Sequence, residues 1–429
     1  MNETTKGKFS ITIIRNSECL PTDSNGARLW RSGIFADFFY SKGHDVSWVF
    51  SSFDHFNKVN RGDTKNVGSL HKIITMLRTP GYKSNLSLWR FVDHFIFGIK
   101  VFFHLLKRDN SDVIICSYPT PESSFFTVLY GLVSKTPVVL DIRDQWPDVV
   151  FETSGKKYAL VLKLLFSPYI LMKTFAMKYS TNIMAVNPDF LKWATHNSGR
   201  DKCDCDFVSY IPFLLPTITA KNDELATSFI NKLDLKDNDI LITFAGTLGL
   251  MFDFEPLYQV LSTQRKSFAS VKVIICGTGG KFEGLKNKFA SLPNVLFTGQ
   301  IDANIVFSLL TKSDLLLAPY KNISNFRNHL PNKFMEYCAA GKPIISSLKG
   351  LGKHILANHE AGDTYSSVSQ LECILFGYLC KPSILNEKSI NAKDLYLKRF
   401  HPEIILSDLE VRIEKIVSKS QRLNSLKIR

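Results

Sequence analysis

The sequence predicts an α/β protein made of two βα halves of about equal size. Short β-branched runs alternate along the chain with longer patterns in which apolar residues recur every three or four positions. That alternation builds a parallel sheet with helices on both faces. The rhythm breaks once, over 210–220, where Pro212 and Pro216 stand in a short mixed segment, and then restarts. A chain of 429 residues accommodates two or three domains of common size.

The first half supplies five predicted strands, each a short apolar run. They are Phe9–Ile14, Asp45–Phe50, Val113–Ser117, Pro137–Asp141 and Thr181–Val186. The helical patterns that accompany them are Ala27–Lys42, Leu88–Lys107, Ser123–Val133 and Lys156–Lys178, and Pro168 opens a second helix within the last of these.

The second half repeats the same rhythm. Its predicted strands are Ile240–Ala245, Val271–Cys276, Val295–Thr298, Leu315–Ala318 and Ile344–Ser346. We therefore expect an N-terminal domain over 1–212, a second domain over 213–395, and a C-terminal helical segment over 396–429 that can cross back to the first domain.

The charge balance narrows the class of partner. The chain carries 53 Lys and Arg against 39 Asp and Glu, a net charge of +14, so an anionic partner is expected. No run of five like charges occurs, which argues against nucleic acid as that partner. A hydrophobic fraction of 45% excludes a disordered or fibrous chain.

The eight cysteines match no zinc-binding template, and Cys203 and Cys205 form a pair without a second half. We expect reduced thiols, a cytosolic protein and no metal site. The first ten residues lack the apolar core of a signal peptide, and no 18-residue stretch is free of charge. A membrane-spanning helix is therefore not expected.

Two apolar helical stretches carry much of the basic excess, Leu88–Lys107 and Lys156–Lys178. Two interpretations stay open. The lysine stems could lie along a helix that covers the sheet, with their ammonium groups in water. Alternatively, these helices form a basic amphipathic surface that binds anionic lipid.

Two motifs follow strands in the first half. Gly26, followed by Arg28, stands between a strand and a helix, where backbone N–H groups can approach an anion, although glycine is also used there for steric reasons. The segment Asp141–Asp148 holds four charges and a tryptophan directly after a strand. Ligands of open parallel sheets bind at such strand ends, and an ion-pair cluster is the alternative.

Glycine loops follow two successive strands of the second half. Gly246 and Gly249 come after one strand, and Gly277 and Gly279 after the next. Together they indicate a nucleotide or phosphate cleft. Their spacing matches neither the dinucleotide-binding fingerprint nor a P-loop.

The most informative motif is the segment 327–343, with a proline, a short helix and a Gly-Lys-Pro stop before a strand. Lys333 lies in the first turn, where the positive end of the helix favours phosphate. Glu336 lies three residues later on the same face and can accept bonds from two ribose hydroxyls. A capped helix with Glu336 as its dipole partner is the alternative.

These motifs together resemble GT-B glycosyltransferases of family 4, retaining enzymes of bacterial surface-polysaccharide and O-antigen pathways. Pro331–Pro343 resembles the Pro-x-Lys-x-x-Glu-Tyr-x-Ala-x-Gly-Lys-Pro motif of one subgroup, and Asp141–Pro147 its Asp-x-Arg-Asp-x-Trp-Pro segment. The resemblance implies two Rossmann-like domains that face each other across a cleft. It implies a nucleotide sugar, UDP- or GDP-linked, in the C-terminal domain, and a saccharide acceptor, polyprenyl-diphosphate-linked or otherwise lipid-linked, in the N-terminal domain.

The resemblance also implies roles for single residues. Glu336 would hold the ribose, and Lys333 or Arg327 would neutralise the departing diphosphate, so no metal ion is needed. The wider family has a glutamate where this chain has Asn328, and a catalytic histidine where it has Arg143. Because arginine cannot act as a general base, we assign charge stabilisation to Arg143 and positioning of acceptor or sugar to Asp144.

The expected activity is a hexosyl or N-acetylhexosaminyl transfer with retention, by a cytoplasmic enzyme attached to the inner face of the cytoplasmic membrane. Two alternatives stay open: an epimerase or phosphorylase that acts on nucleotide sugars, and a non-catalytic basic scaffold on membrane or nucleic acid.

Overall fold

The computed structural model describes residues 7–20, 23, 28–62, 70, 72–85, 87–107, 111–153, 156–200, 203–263, 267–321 and 329–427. The chain divides into two compact units. The first contains Met1–Tyr210 together with Ile405–Arg429, and the second contains Ile211–Ile404.

The first unit is built on a parallel sheet of seven strands within the described residues, in the order β5-β2-β1-β6-β7-β8-β9. The described strands of the whole unit, including two outside this sheet, are β1 Ser10–Arg15, β2 Asp45–Ser51, β3 Phe53–Asp54, β4 Val59–Asn60, β5 Ile74–Leu77, β6 Val113–Tyr118, β7 Val138–Ile142, β8 Asn182–Ala185 and β9 Phe207–Val208. Strands β3 and β4 form a separate antiparallel pair. The helices are α1 Arg31–Ser41, α2 Leu88–Lys107, α3 Pro121–Ser134, α4 Asp148–Thr153, α5 Lys156–Leu165, α6 Ser167–Tyr179 and α7 Pro188–Ser198.

The second unit has a parallel sheet of six described strands, in the order β12-β11-β10-β13-β14-β15. The strands are β10 Ile240–Ala245, β11 Val271–Cys276, β12 Val295–Gly299, β13 Leu315–Ala318, β14 Ile344–Ser346 and β15 Gly362–Thr364. The helices are α8 Ala220–Asn231, α9 Glu255–Thr263, α10 Phe282–Phe289, α11 Ala303–Lys312, α12 Asn332–Ala339, α13 Leu351–Asn358, α14 Val368–Cys380 and α15 Ser383–Leu395, then a π-helical turn Tyr396–Phe400 and α16 Pro402–Lys427.

Burial explains why these sequences form parallel strands. Every residue of β6, β7 and β10 is buried. Strands covered on both faces need continuous apolar, β-branched runs, which is the pattern that the sequence shows. The α/β fold class with two parallel sheets is therefore confirmed.

Strands β5, β9 and β15 were not predicted, because they are only two to four residues long and β5 is half-buried. The helix predicted from Ala27 begins only at Arg31, after an extended Trp30.

The last helix packs against the first unit. His44 Nε2 lies 3.5 Å from Glu410 Oε1, and the Arg412 guanidinium lies 4.9 Å from the centre of the Phe207 ring. Gln421 donates a hydrogen bond to Asp112. The chain thus ends in the unit in which it began.

Both sheets have one point at which the strand order reverses. It lies between β1 and β6 in the first unit and between β10 and β13 in the second. Open parallel sheets bind ligands outside the carboxyl ends of the strands at this switch point, because the flanking loops diverge there and leave a crevice.

Candidate functional site

A pocket of about 380 Å³ lies at the carboxyl ends of β10, β11 and β12 in the second unit. We call it the glycine pocket. It brings together five of the residues predicted from the sequence to bind a donor: Gly246, Gly277, Gly279, Lys333 and Glu336. Gly249 is not among the residues that line it.

The glycines of this pocket are required by the contact between its two loops. Gly277 has a φ of +122°, and a Cβ at this position would lie 2.1 Å from the carbonyl oxygen of Gly246. At Gly279, with a φ of +151°, a Cβ would lie 2.5 Å from the oxygen of Leu248. Only glycine allows these loops to pack backbone against backbone.

Lys333 and Glu336 come from the first turns of α12, a helix without a side-chain N-cap. The Lys333 ammonium donates to the carbonyl oxygen of Ala245 and lies 4.9 Å from the centre of the Phe244 ring. Burial lowers the pKa of Lys333, and the carboxylate of Glu336 opposes that shift. A cation, a helix N-terminus and glycine backbone at one strand edge form an anion site.

The sequence did not single out one wall of the glycine pocket. Gln300, Ile301, Ala303 and Val306 follow β12 and line it. Thr278 Oγ1 lies 3.4 Å from Gln300 Oε1 and joins this wall to the glycine loops. What could have revealed these residues in the sequence is their position directly after a third predicted strand. That strand ends at Gly299, where φ is +71°.

Three of the predicted residues, Gly26, Arg327 and Asn328, lie outside the described residues. Arg28 is exposed and precedes α1 by three positions. Among the described residues, no group of three or more His, Cys, Asp or Glu side chains is arranged to hold a metal ion.

In the first unit, Arg143 belongs to a buried ion network at the end of β7. Its Nε lies 2.6 Å from Asp141 Oδ2, and its Nη2 donates to the hydroxyls of Ser32 and Ser117 at 2.7 Å. Arg31 donates hydrogen bonds to the same carboxylate through Nε and Nη2, at 3.0–3.1 Å. The guanidinium of Arg143 is thus engaged by the sheet and α1, and the geometry favours a structural role for it.

Asp144, the other residue predicted to be catalytic, lines a pocket of about 230 Å³ at the switch point of the first sheet. We call it the aromatic pocket, because five of its lining residues are Phe, Trp or Tyr and two more are histidines. Its side chains come from the ends of β1, β3, β6 and β7 and the loops after them, from the residue before α1, and from α2, α3 and α6. They include Arg15, Trp30, His55, Phe56, Arg90, Phe91, His94, Glu122, Asp144, Trp146 and Tyr169, together with Pro119.

Burial controls the charges of the aromatic pocket. It raises the pKa of Glu122 to about 7 and that of Asp144 above its usual range. It lowers the pKa of His94 to about 3 and that of His55 to about 4, and the charges of Arg15 and Arg90 add to both shifts. Both histidines are therefore neutral at pH 7. Arg15 remains charged at pH 7, although burial lowers its pKa to about 10.

Apolar side chains lie exposed on three helices of the first unit. On α2 they are Leu88, Trp89, Val92, Phe95, Phe103 and Leu106, on α5 Tyr158, Leu160, Val161, Leu164 and Leu165, and on α6 Leu171 and Tyr179. We call this set the apolar helix surface. No single described helix has the length and hydropathy of a membrane span, but Tyr158–Leu165 and Ser167–Tyr179 meet those criteria together as a pair bent by 68°.

Residues 226–370 match the family described as Glycosyl transferases group 1. That range contains every described residue of the glycine pocket. The findings support a glycosyltransferase. No curated protein that was compared by sequence matches the chain.

Solved structures show the architecture. HepE from Anabaena, in complex with UDP, superposes with a TM-score of 0.66 at 14% identity, over 95% of this chain and 100% of that one. WaaG, described as a glycosyltransferase involved in lipopolysaccharide biosynthesis, gives 0.62 at 16% identity, over 92% and 98%. Sucrose-phosphate synthase from Thermosynechococcus elongatus gives 0.62 at 13%, over 95% and 99%. The chain has the GT-B fold.

Proposed function

We propose that this glycosyltransferase moves a hexosyl or N-acetylhexosaminyl group from a nucleotide sugar to a lipid-linked saccharide, with retention, in bacterial surface-polysaccharide biosynthesis. One observation carries the proposal: Lys333, Glu336 and the two glycine loops meet in a single pocket at the carboxyl ends of β10, β11 and β12. The resemblance of Pro331–Pro343 to the family 4 motif supports it, as does the match over 226–370.

The glycine pocket offers a distinct group to each part of a nucleotide sugar. The carboxylate of Glu336 accepts hydrogen bonds from the ribose hydroxyls. Lys333 leaves the carbonyl oxygen of Ala245 and pairs with the diphosphate, where charge builds as the sugar departs. Loop amides and the N-terminus of α12 share that charge, so the proposed transfer proceeds without a metal ion. We assign Arg327 and Asn328 to the same donor site from the sequence motif.

The nucleotide is proposed to be UDP or GDP. Support for UDP comes from the structures of HepE with UDP and with UDP-glucose. The pathway is proposed from the resemblance to family 4 enzymes of O-antigen synthesis. The fold similarity to WaaG and to the lipopolysaccharide outer core galactosyltransferase WaaB is consistent with it.

Replacing Glu336 with glutamine tests the donor site. We expect the affinity for the nucleotide sugar to fall roughly 30- to 100-fold, because each charge-assisted hydrogen bond contributes about 1.5–3 kcal/mol. Isothermal titration against a panel of UDP- and GDP-sugars measures the loss. Glu283→Gln is the matched control, since Glu283 lies exposed on α10 and outside the pocket.

Equal affinity of Glu336→Gln and the wild type for every nucleotide sugar would contradict the donor site. Product analysis separates the reaction types. An epimerase or a phosphorylase would turn the donor over without a saccharide acceptor, whereas the proposed transferase requires one.

We also propose that the apolar helix surface lies on the anionic inner face of the cytoplasmic membrane. Its exposed apolar side chains alternate with lysines, including Lys100, Lys107, Lys163 and Lys178. Lysines beside exposed leucines match anionic headgroups above an acyl layer.

The double variant Leu160→Glu, Leu164→Glu is expected to abolish flotation with vesicles of anionic phospholipid. Both leucines are more than three-quarters exposed, at 78% and 76%, so the change leaves the core intact and removes about 1.5–3 kcal/mol of burial per side chain. Ile390→Glu is the control, because Ile390 is 70% exposed on α15 of the second unit. If the double variant floated to the same extent as the wild type, the proposal that the apolar helix surface binds the membrane would be refuted.

A further inference from the structure

We infer that the aromatic pocket binds the phosphate group of an amphiphile whose hydrocarbon tail lies along the apolar helix surface. The inference rests on the proposed function only in naming this amphiphile as the acceptor. It assigns a ligand chemistry to a pocket whose residues, apart from Asp144 and Trp146, the sequence had not singled out.

The two arginines supply the phosphate site. Arg15 is held by carbonyl oxygens, with Nε donating to Ser17 at 3.0 Å and Nη1 to Pro119 at 2.8 Å. Its Nη2 has no hydrogen-bond partner in the part of the chain that the structure describes. Arg90 enters from the first turn of α2 and is tethered through Nη1 to the carbonyl oxygen of Asn85 at 3.2 Å. Anchored guanidinium groups with donors to spare suit a phosphate.

Glu122 is a second indication of a ligand. Its side chain is fully buried, and neither carboxylate oxygen has a partner within 3.5 Å among the described residues. The Tyr169 hydroxyl acts on this carboxyl from a longer distance, and Nδ1 of the neutral His94 ring lies 4.0 Å from Oε1. A buried carboxyl without a close donor is costly, so its place in a pocket wall points to a ligand that brings one. A sugar hydroxyl next to the phosphate is such a donor.

The wall of the pocket continues into the apolar helix surface. Phe166, at the junction of α5 and α6, contacts three lining residues, with ring centres 6.0 Å from Phe91, 5.7 Å from Trp146 and 5.9 Å from Tyr169. Leu88 and Trp89 flank Arg90 on α2 and are exposed. A ligand whose phosphate lies between the arginines therefore has apolar side chains beside its exit.

Cations at the end of an apolar surface distinguish this ligand from a soluble sugar phosphate. A soluble phosphate would gain nothing from the exposed leucines and aromatic rings around the pocket. A prenyl phosphate gains about 0.8 kcal/mol for each buried methylene group in addition to the charge pairing.

The quenching of tryptophan fluorescence is a direct readout, because Trp30 and Trp146 line the pocket. Full-length protein is titrated with farnesyl phosphate, farnesol, inorganic phosphate and glucose 1-phosphate. We expect farnesyl phosphate to bind at least about tenfold more tightly than the other three. Tight binding of farnesol would show an apolar site without a phosphate subsite. Preference for inorganic phosphate or glucose 1-phosphate would assign the pocket to a soluble anion. Either result overturns the inference.

Arg90→Gln should weaken the binding of farnesyl phosphate about tenfold or more, and Lys83→Gln should leave it unchanged. Lys83 is exposed a few residues earlier and lies outside the pocket lining. Arg90 is only half-buried, so its replacement leaves the core intact. Equal binding by Arg90→Gln and the wild type would refute the phosphate site.

The donor titration of the proposed function is independent of this result. Nucleotide-sugar binding without farnesyl phosphate binding would refute the inference alone. Farnesyl phosphate binding by a protein that transfers no sugar would support the pocket and refute the proposed activity.

Discussion

Replacing Asp141 with asparagine is expected to destabilise the first unit by about 3–5 kcal/mol, the usual cost of leaving a buried charge without its partner. Asp141 is fully buried at the end of β7 and accepts hydrogen bonds from both Arg31 and Arg143. Burial alone would raise the pKa of Asp141, but the guanidinium groups of Arg143 and Arg31 outweigh it and hold that pKa below its usual range. Asparagine would leave two buried guanidinium groups without a counter-charge on this side.

The pH dependence has a definite sign. Because the folded pKa of Asp141 is depressed, its contribution to stability is present above the ordinary carboxyl pKa and is lost as the pH falls through the folded pKa. Urea unfolding, followed by near-ultraviolet circular dichroism, measures the free energy of unfolding of the wild type and of Asp141→Asn at pH 7. The difference between these two free energies should become smaller as the pH is lowered.

Two controls make the Asp141 experiment specific. Asp408→Asn removes an exposed ion pair with Arg412 on α16 and should change stability by less than about 0.5 kcal/mol. Asp144→Asn removes a pocket-lining carboxyl, which accepts from the amide of Gln145, and should reduce transfer activity more than stability. If Asp141→Asn were as stable as Asp408→Asn at pH 7, the buried network would not support the fold.

The second large effect is expected for Gly277→Ala, which should destabilise the second unit by about 3 kcal/mol or more. A Cβ at this position would lie 2.1 Å from the backbone oxygen of Gly246, and the φ of +122° is strained for any residue with a side chain. The two loops would have to separate. Because both loops line the glycine pocket, nucleotide-sugar affinity should fall together with stability.

Gly280 provides a matched control in the same loop. A Cβ on Gly280 would meet no atom within 4 Å, so Gly280→Ala should leave the unfolding midpoint within the error of the measurement or raise it slightly. Thermal unfolding with and without UDP compares the two variants. If Gly277→Ala unfolded at the same temperature as Gly280→Ala and bound UDP with wild-type affinity, the two loops would tolerate separation.

Five residues of the glycine pocket were predictable because their signals are local. Each glycine loop directly follows a buried strand, and Lys333 and Glu336 occupy neighbouring positions of one short helix. Parallel strands place their carboxyl ends on one edge, so residues at several strand ends converge without further information. The wall from Gln300 to Val306 was missed because its residues have no distinctive chemistry, only a position after β12.

The aromatic pocket was not predictable in the same way. Arg15 ends β1, Arg90 stands on α2 and Glu122 opens α3, and only the packing of α2 on α3 brings them into one wall. Their charges depend on that packing as well, since burial is the main cause that raises the pKa of Glu122 to about 7. Arg143 shows the reverse case. The family resemblance assigned it the stabilisation of charge in the reaction, whereas in the tertiary structure its guanidinium binds Asp141, Ser32 and Ser117.

By itself, the sequence determined the α/β class, the positions of the long buried strands and five residues that line the glycine pocket. Periodicity and β-branched runs are properties of neighbouring residues, so they can be read along the chain. Only the tertiary structure decided which cations pair with buried carboxylates and which face a pocket. Charge pairing and burial depend on groups that are far apart in sequence, and the same arginine supports the fold or binds a ligand according to what lies beside it.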